Sequence, residues 1–123
     1  MTKQLTHYVG GAHREGVSGR YADIYNPSTG QVQAQAPLAS ADEVREVIAN
    51  AAEAQAGWAA TNPQKRARVL HRFVDLVNEH ADELAEMLSL EHGKTIADAH
   101  GDIQRGLDVV EFATAAPHLL KGD

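Results

Sequence analysis

Leu88-Ser89-Leu90-Glu91-His92-Gly93-Lys94-Thr95 is the stretch on which the reading of this chain turns. An apolar helical pattern runs into Glu91, stops at Gly93, and resumes after Thr95 in a segment that carries Asp102 and Arg105. Gly93-Lys94-Thr95 invites a phosphate-loop reading. Such a loop needs a glycine five positions earlier, so that successive backbone N–H groups can curl around phosphate oxygens, and it follows a strand. The position five before Gly93 is Leu88, and the preceding segment is helical in pattern. Gly93 therefore reads as the left-handed residue that ends one helix. Thr95 starts the next, with Asp98 three residues on as a weaker capping box.

Working back from that joint, Asp82 onward places Leu84, Ala85 and Leu88 inward, after a possible interruption at residues 78–81. Before it, Asn62-Pro63 is a helix start, because Asn accepts backbone N–H bonds and Pro fits the first turn. Ala67, Leu70, Val74 and Val77 follow on one line, with Phe73 and Leu76 widening the face. Further back, Ser40 and Glu43 form a capping box, and Asp42 and Glu43 suit the positive end of the helix dipole. Val44, Val47, Ile48, Ala51, Gln55 and Trp58 make one stripe with Ala52 beside it, and Trp58 is expected to anchor that helix in the core. Working forward from the joint, Ile96, Ala99, Ile103, Leu107, Val110 and Thr114 share a face, and Pro117 limits that helix.

Residues 1–39 change period from 3.6 to two. Thr6 to Val9 is β-prone, Gly10-Gly11 is a hairpin turn signal, and Ala12 to Glu15 returns beside the first run. After a loop at residues 16–19, Tyr21 to Tyr25 and Gln31 to Pro37 alternate around the turn Asn26-Pro27-Ser28-Thr29-Gly30. The pattern predicts an α+β arrangement: an N-terminal antiparallel β-ribbon over 1–39, then three to four amphipathic helices over 40–123. A ribbon this short is not stable alone.

Hydrophobic residues make up 43% of the 123 residues, but much of that is alanine and only 5% is aromatic. Alanine lets helices approach closely while burying little area, so the helices call for a further layer. The net charge of −6, without a basic stripe, speaks against nucleic acid as a partner. The absence of cysteine excludes a disulfide, a thiolate metal site and a cysteine nucleophile within this chain. Neither a signal peptide nor a membrane-length apolar run is present, so a cytoplasmic protein is expected and a membrane is not a partner.

Chemistry-bearing residues are sparse. His71, His80, His92, His100 and His118 lack the spacing of a helical zinc site, and His7 and His13 flank the hairpin, where they could approach each other. No metal site is expected. Asp82, Glu83, Glu86 and Glu91 read as a solvated helix face, and Ser89 has no recognisable base beside it. No Gly-x-Gly-x-x-Gly turn follows a strand, so no dinucleotide fingerprint is present. Arg105 is the exception. It lies in helical reach of Asp98, Asp102 and Asp108 for a local ion pair. Alternatively, its planar guanidinium points into a cleft completed by residues outside the chain, where it would clamp a carboxylate through two parallel hydrogen bonds.

The order of these motifs resembles the aldehyde dehydrogenase superfamily across nearly the whole chain. The resemblance rests on Tyr8-Val9-Gly10-Gly11, Tyr25-Asn26-Pro27-Ser28-Thr29-Gly30-Gln31-Val32, Ala39-Ser40-Ala41-Asp42-Glu43-Val44, Trp58, Lys65-Arg66-Ala67, Asp82-Glu83-Leu84-Ala85 and Glu91-His92-Gly93-Lys94-Thr95. Gly101-Asp102-Ile103-Gln104-Arg105-Gly106, Val109-Val110-Glu111-Phe112-Ala113 and Pro117-His118-Leu119-Leu120-Lys121-Gly122 look most like the CoA-acylating methylmalonate-semialdehyde dehydrogenase branch. His13 and Arg14 depart from it, standing where relatives more often carry a bulky apolar pair.

The resemblance implies a parent α/β fold of which this chain is the amino-terminal segment, with the Rossmann core, the catalytic cysteine and the catalytic domain beyond it. It further implies NAD and coenzyme A as cofactors of the full-length enzyme and a small semialdehyde as its substrate. A homo-oligomer is implied for the complete enzyme, and self-association is expected of the segment alone. Neither a catalytic nor a cofactor-binding residue is assigned within the chain, and Arg105 is its one substrate-binding candidate. A stand-alone helical scaffold and an inactive remnant are the other two readings.

Overall fold

The computed structural model describes residues 2–122. They divide between Ala59 and Ala60 into two compact units.

The first unit contains strands β1 (Lys3–Gln4), β2 (His7–Val9), β3 (Ala12–Arg14), β4 (Tyr21–Tyr25) and β5 (Val32–Pro37), and nearly all of helix α1 (Ala41–Ala60). β2 and β3 pair antiparallel, with His7 opposite Arg14 and Tyr8 opposite His13. Their turn is Gly10-Gly11, with φ of 62° and 79°. Two consecutive positive values define the hairpin turn whose twist matches that of the strands, and only glycine adopts them without strain. β4 and β5 pair antiparallel, with a register shift between Ile24 and Tyr25 that leaves Gln33 as the extra residue. Their connecting turn is closed by Asn26, whose Oδ1 accepts the Ser28 N–H at 2.9 Å and whose carbonyl accepts the Gly30 N–H at 2.8 Å. β1 adds a parallel edge to β5, an element the sequence pattern does not announce. The ribbon is thus two small sheets, ordered β1-β5-β4 and β2-β3.

α1 begins with the expected capping box. Glu43 N–H donates to Ser40 Oγ at 3.2 Å, and Glu43 Oε2 accepts the Ser40 N–H at 2.7 Å. The second carboxylate oxygen of Glu43 accepts the Val17 N–H at 2.7 Å, tying the loop after β3 to the helix start. Along its length, however, α1 has no buried residue, and Trp58 is 46% exposed. The expected core role of Trp58 is therefore corrected. A helix of 20 residues runs about 30 Å, while strands of three residues span about 10 Å, so the short strands cover only part of it.

The second unit is helical: α2 (Pro63–Glu79), α3 (Ala81–His92), α4 (Ile96–Thr114) and the single turn α5 (Ala116–Leu119). Asn62 caps α2 by accepting the Gln64 N–H at 2.8 Å, and Pro63 fills the first turn, as its sequence position suggests. The interruption around residues 78–81 is real, with His80 ending α2 and preceding α3. α4 packs against α2 and α3. The side chains removed from water here are mostly small: Ala67, Ala85, Ala99 and Leu107. Phe73 and Leu76 lie on the expected face yet stay 50% and 37% exposed. Phe73, Val77, Leu84, Leu88, Ile103 and Val110 line an open apolar groove of about 340 Å³. The whole chain exposes 9160 Å², whereas two separate folded bodies of half its mass would together expose about 7,700 Å². The excess matches the alanine-rich composition: helices pack closely but leave their larger apolar side chains unroofed.

Candidate functional site

The site is built by the joint between α3 and α4. Gly93 has φ 81° and ψ 10°, the left-handed conformation that stops a helix, and its N–H donates to the Ser89 carbonyl at 2.8 Å. Ser89 Oγ donates to the Lys94 carbonyl at 2.7 Å, so the residue after the stop is held against the last turn of α3. Thr95 is extended, with φ −69° and ψ 155°, and its Oγ1 accepts the Asp98 N–H at 3.2 Å. The tripeptide that imitates a phosphate loop is a C-cap followed by an N-cap, as local physics requires.

This geometry aims two cations at one carboxylate. Lys94, whose side chain is only 18% exposed, reaches along α4 so that its Nζ donates to Asp102 Oδ2. Arg105, one helical turn beyond Asp102, donates from Nη1 to Asp102 Oδ1 at 2.7 Å. Of the acidic residues the sequence places near Arg105, the structure selects Asp102; Asp108 instead accepts a hydrogen bond from Gln104 at 2.8 Å. The hydrogen bond from Lys94 holds the Asp102 carboxyl below the ordinary carboxylate range. The charges of Lys94, Arg105 and His92 act in the same direction, and partial burial opposes them.

Arg105 itself is 79% exposed. Among the described residues its guanidinium makes no hydrogen bond other than that from Nη1. The Nε–H and Nη2–H edge therefore stays available, and that edge has the spacing that matches a carboxylate. With Lys94 and Arg105 positive and Asp102 negative, the cluster carries one net positive charge near neutral pH.

The other sequence candidates do not converge. His7 and His13 face opposite sides of the hairpin, because His7 is opposite Arg14 and His13 opposite Tyr8. The approach across the hairpin is therefore corrected. The His13 ring instead meets Tyr8 edge-on at 5.3 Å, with Nδ1 2.8 Å from Thr6 Oγ1. His80 and His100 sit beside Glu83 and Asp82 at 3.1 and 3.3 Å. Among the described residues no group of three or more metal-ligating side chains comes together. None of the described strands is followed by a glycine-rich turn into a helix of the dinucleotide-binding kind. No helix is long and apolar enough to cross a membrane among the described residues.

Lys94 is the residue that sequence reasoning passed over, discarded together with the phosphate loop. Asp102 lies eight residues on, a spacing that pairs nothing within a single helix. Only the break at Gly93 brings the two together.

A sequence profile described as "Aldehyde dehydrogenase family" matches residues 13–123, nine-tenths of the chain. The chain belongs to the aldehyde dehydrogenase family. A malonate-semialdehyde dehydrogenase of Oceanobacillus iheyensis is 41% identical over 121 residues, covering 98% of this chain and 25% of that relative. Another, from Geobacillus kaustophilus, is 42% identical over the same span. Among solved structures, a protein assigned as a methylmalonate-semialdehyde dehydrogenase from Sinorhizobium meliloti 1021, complexed with NAD, superposes with a TM-score of 0.95 at 52% identity. It is matched over 100% of this chain and 25% of its own. The methylmalonate-semialdehyde dehydrogenase of Oceanimonas doudoroffii gives 0.94 at 41% identity, with the same coverage. The chain thus spans about a quarter of the length of the curated relatives it matches, corresponding to their N-terminal segment. The strand-then-helix order read from the sequence is the family's architecture over that segment.

Proposed function

We propose that this chain is the N-terminal segment of an NAD-dependent, CoA-acylating malonate- or methylmalonate-semialdehyde dehydrogenase, and that Arg105 helps to hold the carboxylate of the semialdehyde. The reaction class oxidises the aldehyde carbon by hydride transfer to NAD, releases CO2 and leaves the acyl group on coenzyme A. It operates in the breakdown of valine, pyrimidines or inositol. The thiolate that such chemistry needs is not among these residues, so the segment contributes positioning rather than a reacting group. It is expected to work within a homo-oligomer of the complete enzyme.

One observation carries the substrate reading: an exposed arginine, anchored through a single nitrogen, keeps a carboxylate-matching edge and sits in a cluster of net positive charge. A substrate with an aldehyde at one end and a carboxylate at the other needs a cation at its far end. The relatives named for such substrates support the same class. The test is steady-state kinetics of Arg105→Leu in an enzyme of the relatives' full length that begins with this chain. A lost charge-assisted hydrogen bond contributes about 1.5–3 kcal/mol, so kcat/KM for malonate semialdehyde should fall roughly 10- to 150-fold. Discrimination against an uncharged aldehyde should fall with it. Unchanged KM and turnover for the carboxylated aldehyde would sink the proposal.

A further inference from the structure

We infer that Lys94 is a positioning residue for the Arg105 clamp, engaging one oxygen of Asp102 and so drawing Asp102 away from a closed, neutral pair with Arg105. The inference rests on the reading of Arg105 as a carboxylate clamp, and it assigns a role to a cation of the cluster that would not itself touch substrate.

The carboxylate of Asp102 has two oxygens, and the structure divides them: Oδ2 to Lys94 and Oδ1 to Arg105. A carboxylate facing a lone guanidinium pairs with it through two parallel hydrogen bonds, because the two planar groups match in spacing. Asp102 and Arg105 stand three residues apart on one helix face, so nothing in the backbone prevents that closed pairing. The ammonium on Oδ2 competes with that pairing by drawing this oxygen toward itself, and the ammonium is held in place by its own surroundings. The Lys94 side chain is largely buried, its backbone carbonyl is bonded by Ser89 Oγ, and Gly93 and Thr95 fix the chain on either side.

Two consequences follow for a bound carboxylate. The Nε/Nη2 edge of Arg105 stays free, and the cluster keeps one net positive charge instead of none. Without Lys94, Asp102 is drawn to Arg105 alone, and an incoming carboxylate meets a neutral pair rather than a positive cluster.

The test uses the complete enzyme with this chain at its N-terminus, and compares malonate semialdehyde with an uncharged aldehyde of similar length. Lys94→Met should raise KM for the carboxylated aldehyde roughly five- to tenfold, the effect of removing one unit charge from a partly solvated site. The uncharged aldehyde should change less than about twofold, since only the charged substrate end feels the cluster. Lys94→Arg, which keeps a cation for Oδ2, should restore most of the loss. Adding Asp102→Asn to Lys94→Met should also recover binding, because an amide cannot neutralise Arg105; a merely structural role for Lys94 would show no such rescue.

Equal losses for both aldehydes, or no rescue by Asp102→Asn, would overturn the inference. If Lys94→Met proved insoluble, Lys94→Gln against the same double variant decides by the same comparison. Failure of the underlying reading is separate, since there Arg105→Leu itself leaves the carboxylated aldehyde unaffected. If Arg105→Leu impairs that substrate while Lys94→Met does not, the clamp stands and the role of Lys94 falls.

Discussion

Replacing Gly93 with alanine is expected to destabilise the helical unit by a net of about 1 kcal/mol, while the same change at Gly101 stabilises it. Gly93 has φ 81°, where a Cβ crowds the following carbonyl oxygen at a cost of roughly 1–2 kcal/mol. Against this, alanine narrows the unfolded ensemble and returns about 0.4–1 kcal/mol. Gly101 lies inside α4, and a Cβ built there meets nothing within 4 Å. There alanine gains about 0.5–1 kcal/mol of helix preference with no opposing strain. Gly93→Asn should fall between Gly93→Ala and the parent, since asparagine tolerates the left-handed conformation better than other residues with a side chain. The assay is urea unfolding of the full chain followed by far-ultraviolet circular dichroism, with the slope checked for constancy so that midpoint shifts report stability. Shifts of the same sign for Gly93→Ala and Gly101→Ala would refute the reasoning, because the positive φ at Gly93 is what should make alanine costly there and not within α4.

Two further expectations concern packing and pH. Ala85 and Ala99 are fully buried, so Ala85→Leu should force the helices apart and cost about 1–3 kcal/mol, visible as a lowered unfolding midpoint; an unchanged midpoint would show that the contact is not close-packed. Backbone N–H bonds from Ser40 and Val17 hold the Glu43 carboxyl below its usual value of 4.5. Its contribution to stability is therefore present above that value and is lost as pH falls from it through the lower folded value. Glu43→Gln should flatten the acid limb of the stability profile over that window, and an unaltered limb in an acid-titrated melt would count against the bond pattern.

The cap chemistry was legible in the sequence because it is local. Ser40 with Glu43, Asn62 with Pro63, and Thr95 with Asp98 each bring donor and acceptor together within three residues, so chain geometry leaves little choice of partner. The Gly10-Gly11 and Asn26–Gly30 turns were readable for the same reason. β1 was not, since two polar residues pairing with a strand some thirty positions away leave no periodic trace. Trp58 misled because a helical stripe announces which residues share a face, and says nothing about whether a layer lies over it. The alanine core shows the converse, for composition alone foretold close helices with little area buried.

At the candidate site the division is sharper. The sequence by itself determined that Gly93 ends a helix, that Thr95 begins another, and that Arg105 has Asp102 and Asp108 each three residues away on its helix. These are consequences of backbone sterics and of a fixed rise per residue. Only the tertiary structure decided which carboxylate Arg105 takes, and that Lys94 shares it. That choice depends on how a side chain crosses a break between helices, where residue spacing no longer measures distance.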